Sequence, residues 1–318
     1  MKKLVSLLLA AGLVLAWTGC GSQPVSDDAY SVGICQLAQH AALDAATEGF
    51  KAALTDLLGD KVVFTEQNAS GESATCITIC NQFVADGVDL IMANATPALL
   101  AAAASTGDIP IVGTSISHYG TALEIADWNG TTGMNITGTS DLAPLDQQAA
   151  IIKEIFPDAK KVGVIYCSAE PNSVYQADVI TAEMTKLGLE YEIFTFADTN
   201  DIASVVTTAC GECDVLYIPT DNTAATCAET INNVALPAGV PIIGGDSGIC
   251  AGCGVATLSI SYYDIGYTAG EMAYDILTKG ADPATMEIQF APKFEKMYNP
   301  DICTALGITV PEGYAVLQ

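Results

Sequence analysis

Ser31-Val-Gly-Ile-Cys-Gln-Leu37, then Ala38-Gln-His40, then the run from Ala41 to Leu58, is the stretch from which the fold is read. The first seven residues form a short apolar run with β-branched Val32 and Ile34, the pattern of a buried strand. From Ala41 onward apolar residues return every three or four positions, the pattern of a helix with one buried face. The same alternation continues outward. Lys61 to Glu66 reads as a strand, Ser73 to Asp86 as a helix, Val88 to Ala93 as a strand, Pro97 to Ser105 as a short helix and Ile109 to Gly113 as a strand. Strands alternating with amphipathic helices predict βαβ units, that is, a parallel sheet covered by helices on both faces.

The rhythm restarts after a break. Helix Leu145 to Phe156, strand Val162 to Tyr166, helix Val174 to Leu187, strand Glu190 to Phe196, helix Ile202 to Cys210, strand Val215 to Ile218, helix Thr223 to Leu236 and strand Pro241 to Ile243 make a second half like the first. Between the halves, Trp128 to Ser140 is rich in Gly, Asn and Thr without helical period and reads as a hinge crossover. Strand Ala256 to Ile260, helix Ile265 to Thr278 and strand Met286 to Phe290 then return to both halves. The fold class is therefore α/β, two doubly wound, Rossmann-like lobes with a hinge. The expected division is 31–138 plus about 261–285 for the N-terminal lobe, and 139–260 plus about 286–318 for the C-terminal lobe.

A chain of 318 residues is long enough for two such lobes. Acidic residues outnumber basic ones by 37 to 11, and every cation is Lys, so the net charge is -26 with no guanidinium anywhere. Nucleic-acid binding by counter-ion release has almost nothing to work with. Residues 1–20 read as a lipoprotein signal peptide: Lys2 and Lys3, an apolar run from Leu4 to Trp17 too short to span a bilayer, then Thr18-Gly19-Cys20. Trp17 stands where a lipobox prefers Leu. With Cys20 as the lipidation site, residues 21–30 are a polar tether and the protein is anchored outside the bacterial cell membrane. Cys210-Gly-Glu-Cys213 and Cys250-Ala-Gly-Cys253 raise zinc, but 36 residues separate the pairs, against roughly 15 to 20 in a zinc ribbon. Local disulfides or free loop thiols are the plainer expectation, and no metal or cofactor is expected. Cys76 and Cys80 read as small buried hydrophobes on a helix.

In doubly wound sheets a ligand lies beyond the carboxyl ends of the strands, against helix N-termini with unpaired N–H groups. That rule selects the loops Gln36 to His40, Asn94 to Pro97 and Thr114 to Ser117 in the first half. In the second it selects Ser168 to Ser173, Thr220 to Thr223 and Gly244 to Ser247.

These loops and their neighbours resemble one family. The residues that carry the likeness are Gln36-Leu-Ala-Gln-His40-Ala-Ala-Leu-Asp44, Asn94-Ala-Thr96-Pro97, Ile109-Pro-Ile-Val112 and Asn135-Ile-Thr-Gly-Thr-Ser-Asp141, followed by Ile155 to Tyr166, Asn172-Ser173, Thr220-Asp221-Asn222 and Gly245-Asp246. They are similar to ABC-transporter substrate-binding lipoproteins of the type I periplasmic fold, the group that includes tryptophan and tyrosine binders. The resemblance covers nearly all of residues 31–290. It implies two lobes joined by three crossovers, which close on one small ligand and deliver it to an ABC permease. Thr114-Ser-Ile-Ser-His118-Tyr119 departs from the family pattern, which has Asp and Pro after the corresponding turn.

An amino acid brings a carboxylate and an ammonium, and a chain without Arg lacks the bidentate fork that usually clamps a carboxylate. Hydroxyls and helix N-termini are the substitute, at Thr96, Ser115, Ser173 and Thr223. Asp221 and Asp246, each just after a strand, are placed for the ammonium or for helix capping. Gln36, His40, Asn94, Asn172, Thr220 and Asn222 complete the candidate ligand-binding set. His118, Tyr119 and Trp128 either stack an aromatic ligand or cover a loop. Two His, no G-x-S-x-G elbow, no H-E-x-x-H and no Walker motif argue against catalysis. The expected function is a monomeric, lipid-anchored receptor of an ABC importer for an amino-acid-like solute. A ligand-presenting sensory subunit of the same fold is the first alternative and a thiol-redox or zinc lipoprotein the second.

Overall fold

The computed structural model of the chain describes residues 29–317. The signal peptide, Cys20 and nearly all of the tether lie outside the described residues. The first half runs β1 (Tyr30–Gln36), α1 (Ala41–Leu58), β2 (Val62–Asn68), α2 (Ser73–Asp86), β3 (Leu90–Asn94), α3 (Thr96–Ser105), β4 (Ile111–Ile116), α4 (Tyr119–Ala122) and β5 (Ile136–Ser140). The second runs α5 (Leu145–Ile155), β6 (Lys161–Cys167), α6 (Pro171–Lys186), β7 (Glu190–Phe196), α7 (Ile202–Glu212), β8 (Val215–Ile218), α8 (Asn222–Thr226), α9 (Ala228–Ala238), β9 (Ile242–Gly244), α10 (Ser247–Cys253) and β10 (Ala256–Ser259). The chain then returns through α11 (Tyr262–Lys279), β11 (Gln289–Phe290), β12 (Glu295–Tyr298), α12 (Pro300–Leu306) and β13 (Ala315–Val316).

The two sheets have matching orders. The first is β2-β1-β3-β4-β5 with β11 added at the edge, the second β7-β6-β8-β9-β10 with β12 and β13 added. All pairs are parallel except β10 with β12. This order reverses direction beside β1 and β6, which opens a crevice at the strand ends where loops diverge to opposite faces. Three crossovers join the lobes: 141–144, 260–261 and 291–294. Ala42, Ala46, Ile260, Tyr262, Ile265 and Ala291 form a small buried cluster where they meet.

Burial holds each lobe together. Helix α1 turns Leu43, Phe50 and Leu54 inward, all essentially solvent-free. Each such side chain contributes roughly 1.5–3 kcal/mol. Helices α1 and α11 cross at touching backbones: a Cβ built on Gly266 would lie 2.0 Å from the Ala46 carbonyl oxygen.

Several boundaries differ from the sequence reading. The stretch expected to be a hinge ends in β5, a fully buried strand, and the crossover follows at Asp141. Small residues disguise this strand because they permit it: Gly138 adopts φ 147°, and a Cβ there would stand 2.0 Å from the Gly113 carbonyl oxygen on β4. β11 joins the first sheet, after the point at which the chain was expected to have passed to the second lobe. The single helix expected over Thr223 to Leu236 is two, because the backbone at Cys227 (φ -107°, ψ 12°) leaves the helical region. Cys250 and Cys253 lie on helix α10, and Cys210 on α7 with Cys213 at its end, rather than in loops. All ten described cysteines are free, and eight of them are buried.

Candidate functional site

A cleft of about 700 Å³ separates the loop ends of the two lobes. Leu37, Ala38, Ser70 and Glu72 line it from the first lobe, and Glu170, Asp198, Asn222 and Thr223 from the second. Of the expected ligand residues only Asn222 faces this open part, with the carboxylate candidate Thr223. The others are not part of its lining.

On the first lobe, Asn94 ends β3 and is solvent-free. Its Nδ2 donates to the Leu43 carbonyl at 2.8 Å and to Thr47 Oγ1 at 3.0 Å, while its Oδ1 is buried without a partner. The orientation of the amide is thereby fixed, since only the nitrogen can donate. Register pairs Asn94 with Thr114, and the next residue, Ser115, has a buried hydroxyl that is also unpartnered. Ala95 and Ser115 both take positive φ, 87° and 57°. Non-glycine residues pay for that conformation, and such strain collects at functional sites. Thr96 is buried at the start of α3. His40 precedes α1 without capping it. Its Nε2 lies 3.2 Å from Asn222 Oδ1 of the other lobe, and its Nδ1 is buried without a partner.

Gln36 has a structural reason for its burial that the sequence did not suggest. Its Nε2 donates to the Ala38 carbonyl and to Asp44 Oδ1, both at 2.7 Å, and its Oε1 accepts from Thr47 Oγ1 at 2.6 Å. It braces the α1 side of the site and has no free group to offer a ligand.

On the second lobe the organising residue is Glu170, only 4% exposed, which the sequence reading passed over. Its Oε1 accepts from the Thr223 N–H and hydroxyl, both at 2.7 Å. Its Oε2 accepts from the Asn222 N–H at 3.1 Å, Asn222 Nδ2 at 2.7 Å and Asn172 Nδ2 at 3.1 Å. One carboxylate thus ties the starts of α6 and α8 together and fills the place expected for a ligand carboxylate at Thr223. Asn172 also donates to the Thr220 carbonyl at 3.1 Å and to Ser173 Oγ at 3.3 Å, leaving its Oδ1 buried and unpartnered. Ser173 is solvent-free.

Asp221 and Asp246 act as helix caps. Asp221 accepts from the Ala224 N–H at 2.8 Å and the Cys167 N–H at 2.7 Å, and Asp246 from the Ile249 N–H at 2.9 Å. Burial, and then the charge of Glu170, raise the Asp221 carboxyl above the usual range. Burial also raises Asp246, against the Ile249 N–H and the nearby His40 ring, which pull it down.

Further side-chain contacts join the lobes besides His40 and Asn222. Gln176, buried in the middle of α6, donates through Nε2 to Ser117 Oγ at 2.9 Å, and Ser117 donates onward to Asp141 Oδ1 at 3.2 Å. Asp141 also accepts from the Tyr262 hydroxyl at 3.2 Å, so one carboxylate on the first crossover engages the helix that follows the second. Burial pushes that carboxyl up to about 6. His118 caps α4 and stacks on Tyr175 of the other lobe, ring centroids 4.7 Å apart, with Trp128 edge-on at 5.6 Å. Tyr119 is buried against β5, its hydroxyl donating to the Thr139 carbonyl at 3.1 Å. Thr220 takes the Gln176 Oε1 on its N–H at 3.2 Å. Among the described residues no cluster of three or more His, Cys, Asp or Glu is arranged for a metal, and no helix is long and apolar enough to cross a membrane.

Known proteins place this geometry. The family described as ABC transporter substrate binding protein matches residues 31–317. A tyrosine-binding protein of Clostridioides difficile is 32% identical over 320 residues, 96% of this chain and 92% of that one. A solved ABC domain from Streptococcus pneumoniae in complex with L-Trp superposes with a TM-score of 0.86 at 31% identity, covering 91% of this chain and 99% of that one. A ligand-free, open substrate-binding protein with adhesive properties from Clostridium difficile gives 0.69 at 32% identity, with the same coverage. Their shared architecture is the two-lobed α/β fold of type I periplasmic binding proteins. Such proteins are extracytoplasmic components that bind a solute rather than enzymes. With a match that spans both lobes and all three crossovers, this chain belongs to the ABC transporter substrate-binding protein family.

Proposed function

We propose that the chain is the receptor of an ABC importer, exported and anchored by a lipid on Cys20, which acts as a monomer, closes on one aromatic amino acid and presents it to a permease. The observation that carries the reading is the set of enclosed polar atoms without partners: His40 Nδ1, Asn94 Oδ1 and Ser115 Oγ from one lobe, Asn172 Oδ1 from the other. Each such atom costs about 1–3 kcal/mol if nothing pairs with it. Buried polar atoms without a protein partner call for a water, an ion or a ligand, and four of them at the strand ends and helix starts of the two lobes suit a ligand. The greater likeness to the L-Trp complex than to the open structure, at matching identity, supports a closed arrangement of the lobes.

The chemistry of the atoms orients the ligand. Asn94 Oδ1 and Asn172 Oδ1 can only accept, and so suit an ammonium. The Ser115 hydroxyl and the first turn of α3 at Thr96 can donate to a carboxylate. Asp221 and Asp246 spend their carboxyl groups on helix caps rather than on direct contact with a ligand. His118 and Tyr175 stack on each other, and the gap they line with Thr96 and Asn172 is only about 10 Å³, so the open cleft of about 700 Å³ is where an aromatic side chain has room. Equilibrium dialysis with L-Trp and L-Tyr, against tryptamine and indole-3-propionate, tests this reading. The amino acids are expected to bind at least about 30-fold more tightly, since losing one of two desolvated charged ends costs roughly 2–5 kcal/mol. Equal binding of the analogues, or no binding of either amino acid, would contradict it.

A further inference from the structure

Two neighbouring pairs of residues meet across the lobes. In the first, Ser117 accepts from Gln176 Nε2 at 2.9 Å and donates to Asp141, which opens the first crossover, at 3.2 Å. Both Ser117 and Gln176 are buried, and the chain of bonds ties this pair to the point about which the lobes turn. The adjacent residue on each side makes the second pair. The His118 ring lies on the Tyr175 ring of α6, centroids 4.7 Å apart and planes 13° from parallel. This second pair holds the lobes by contact of the rings.

The first lobe holds the His118 ring in place by itself. Its Nδ1 accepts from the Thr121 N–H at 3.0 Å, which caps α4 and fixes the orientation of the ring. Trp128 meets the ring edge-on at 5.6 Å and packs over Gly120, where a Cβ would stand 2.7 Å from the Trp128 Cγ. The second lobe brings Tyr175 to this prepared surface. Neither His118, Tyr175 nor Trp128 lines the open cleft, and the gap beside the stack, about 10 Å³, is too small for a ligand ring. The stack therefore joins the lobes at a place the ligand does not occupy.

We propose that the stack of His118 on Tyr175 is a latch of the closed form, made when the lobes close and broken when they part. Tyr175 is then a positioning residue: it sets how firmly solute is held without touching it. The inference rests on the receptor reading above and adds a source of affinity outside the ligand's own contacts. Only the closed form carries the stack, so its loss shifts the lobes toward the open form. Apparent affinity falls with the population of the competent form, by the same factor whichever amino acid is bound.

A double-mutant cycle on the full mature chain, with Kd and dissociation rates measured for L-Trp and L-Tyr, reads the latch. Tyr175→Leu removes one ring. His118→Asn removes the other and keeps a side chain able to cap α4. Each is expected to weaken both amino acids alike by roughly 2- to 10-fold, mainly through faster dissociation. The double variant is expected to lose no more than either single one, because the two rings make one contact. Tyr175→Phe keeps the ring and is expected to bind within about twofold of the native chain. A native Kd in folded Tyr175→Leu would overturn the latch, as would losses that add in the double variant; His118→Asn carries the same test alone if Tyr175→Leu does not fold. A loss confined to one of the two amino acids would put the ring against the ligand and equally overturn it. In each of these cases the native chain still binds, and the receptor reading stands. A native chain that binds neither amino acid would remove the reading and the latch together.

Discussion

Replacing Glu170 by Gln keeps the shape of the side chain and removes the charge on which five hydrogen bonds converge. The least damaging placement of the new amide points its NH2 at Thr223, whose hydroxyl can turn to accept; the Thr223 N–H, 2.7 Å from Oε1 in the native protein, then faces another donor. That one unpaired N–H costs about 1–3 kcal/mol, and the three bonds kept at the other oxygen fall from charge-assisted to neutral strength, about 1 kcal/mol each. Relief of a buried charge offsets part of the loss. The net expectation is about 3 kcal/mol of destabilisation, a fall in Tm of roughly 6–12 °C for a chain of this size. Circular dichroism melting of the ligand-free protein at neutral pH measures it. A Tm within about 1 °C of the native value would refute the assignment of Glu170 as the tie between α6 and α8.

Three further outcomes follow from other parts of the molecule. Gly266→Ala puts a methyl 2.0 Å from the Ala46 carbonyl oxygen, so α1 and α11 must move apart; overpacking of this kind costs about 1–3 kcal/mol, and no loss in urea unfolding would contradict the close approach. Asp141, pushed up to about 6 by burial, has a folded pKa above its unfolded one, so its contribution to stability is complete below about pH 4 and lost as pH rises through 6. It should add about 1 kcal/mol to stability on going from pH 7.5 to 5, and Asp141→Asn should show a smaller gain over that window; equal gains would refute the shift. With eight of the ten described cysteines buried, a thiol reagent should label Cys210 and Cys227 ahead of the others in the native protein, slowly because burial raises both thiols, and all ten of these in denaturant; fewer than ten of them in denaturant would reveal disulfides.

The two-lobed fold was legible because its signals are local. Alternation of β-branched runs with amphipathic ones placed α1, α2, β7 and β8 at their observed limits. β5 was hidden because Ile136-Thr-Gly-Thr-Ser140 has a turn-like composition, and only the contact with Gly113 shows why small residues are needed there. The site was half legible. Strand-end topology selected Asn94, Ser115, Asn172 and His40, where unpartnered atoms indeed lie. Helix capping by Asp221 and Asp246 was one of the two roles the sequence offered, whereas the partners that engage Gln36, namely Asp44 and Thr47 on the following helix, were not legible as such. Glu170 lay in a selected loop, but in so acidic a chain a carboxylate reads as solvated; Pro171 right after it, at the first position of α6, was the available sign that it begins a helix. Gln176 is a mid-helix residue whose partner, Ser117, belongs to the other lobe, a contact no local pattern announces.

A thermal-shift screen of the purified mature chain against the twenty amino acids tests the central claim most directly. A ligand at about 100 times its Kd adds roughly 2.7 kcal/mol to the folded state. L-Trp or L-Tyr is therefore predicted to raise Tm by about 5–10 °C, while Asp, Glu and Lys leave it unchanged. A Tm that no amino acid moves would contradict the account.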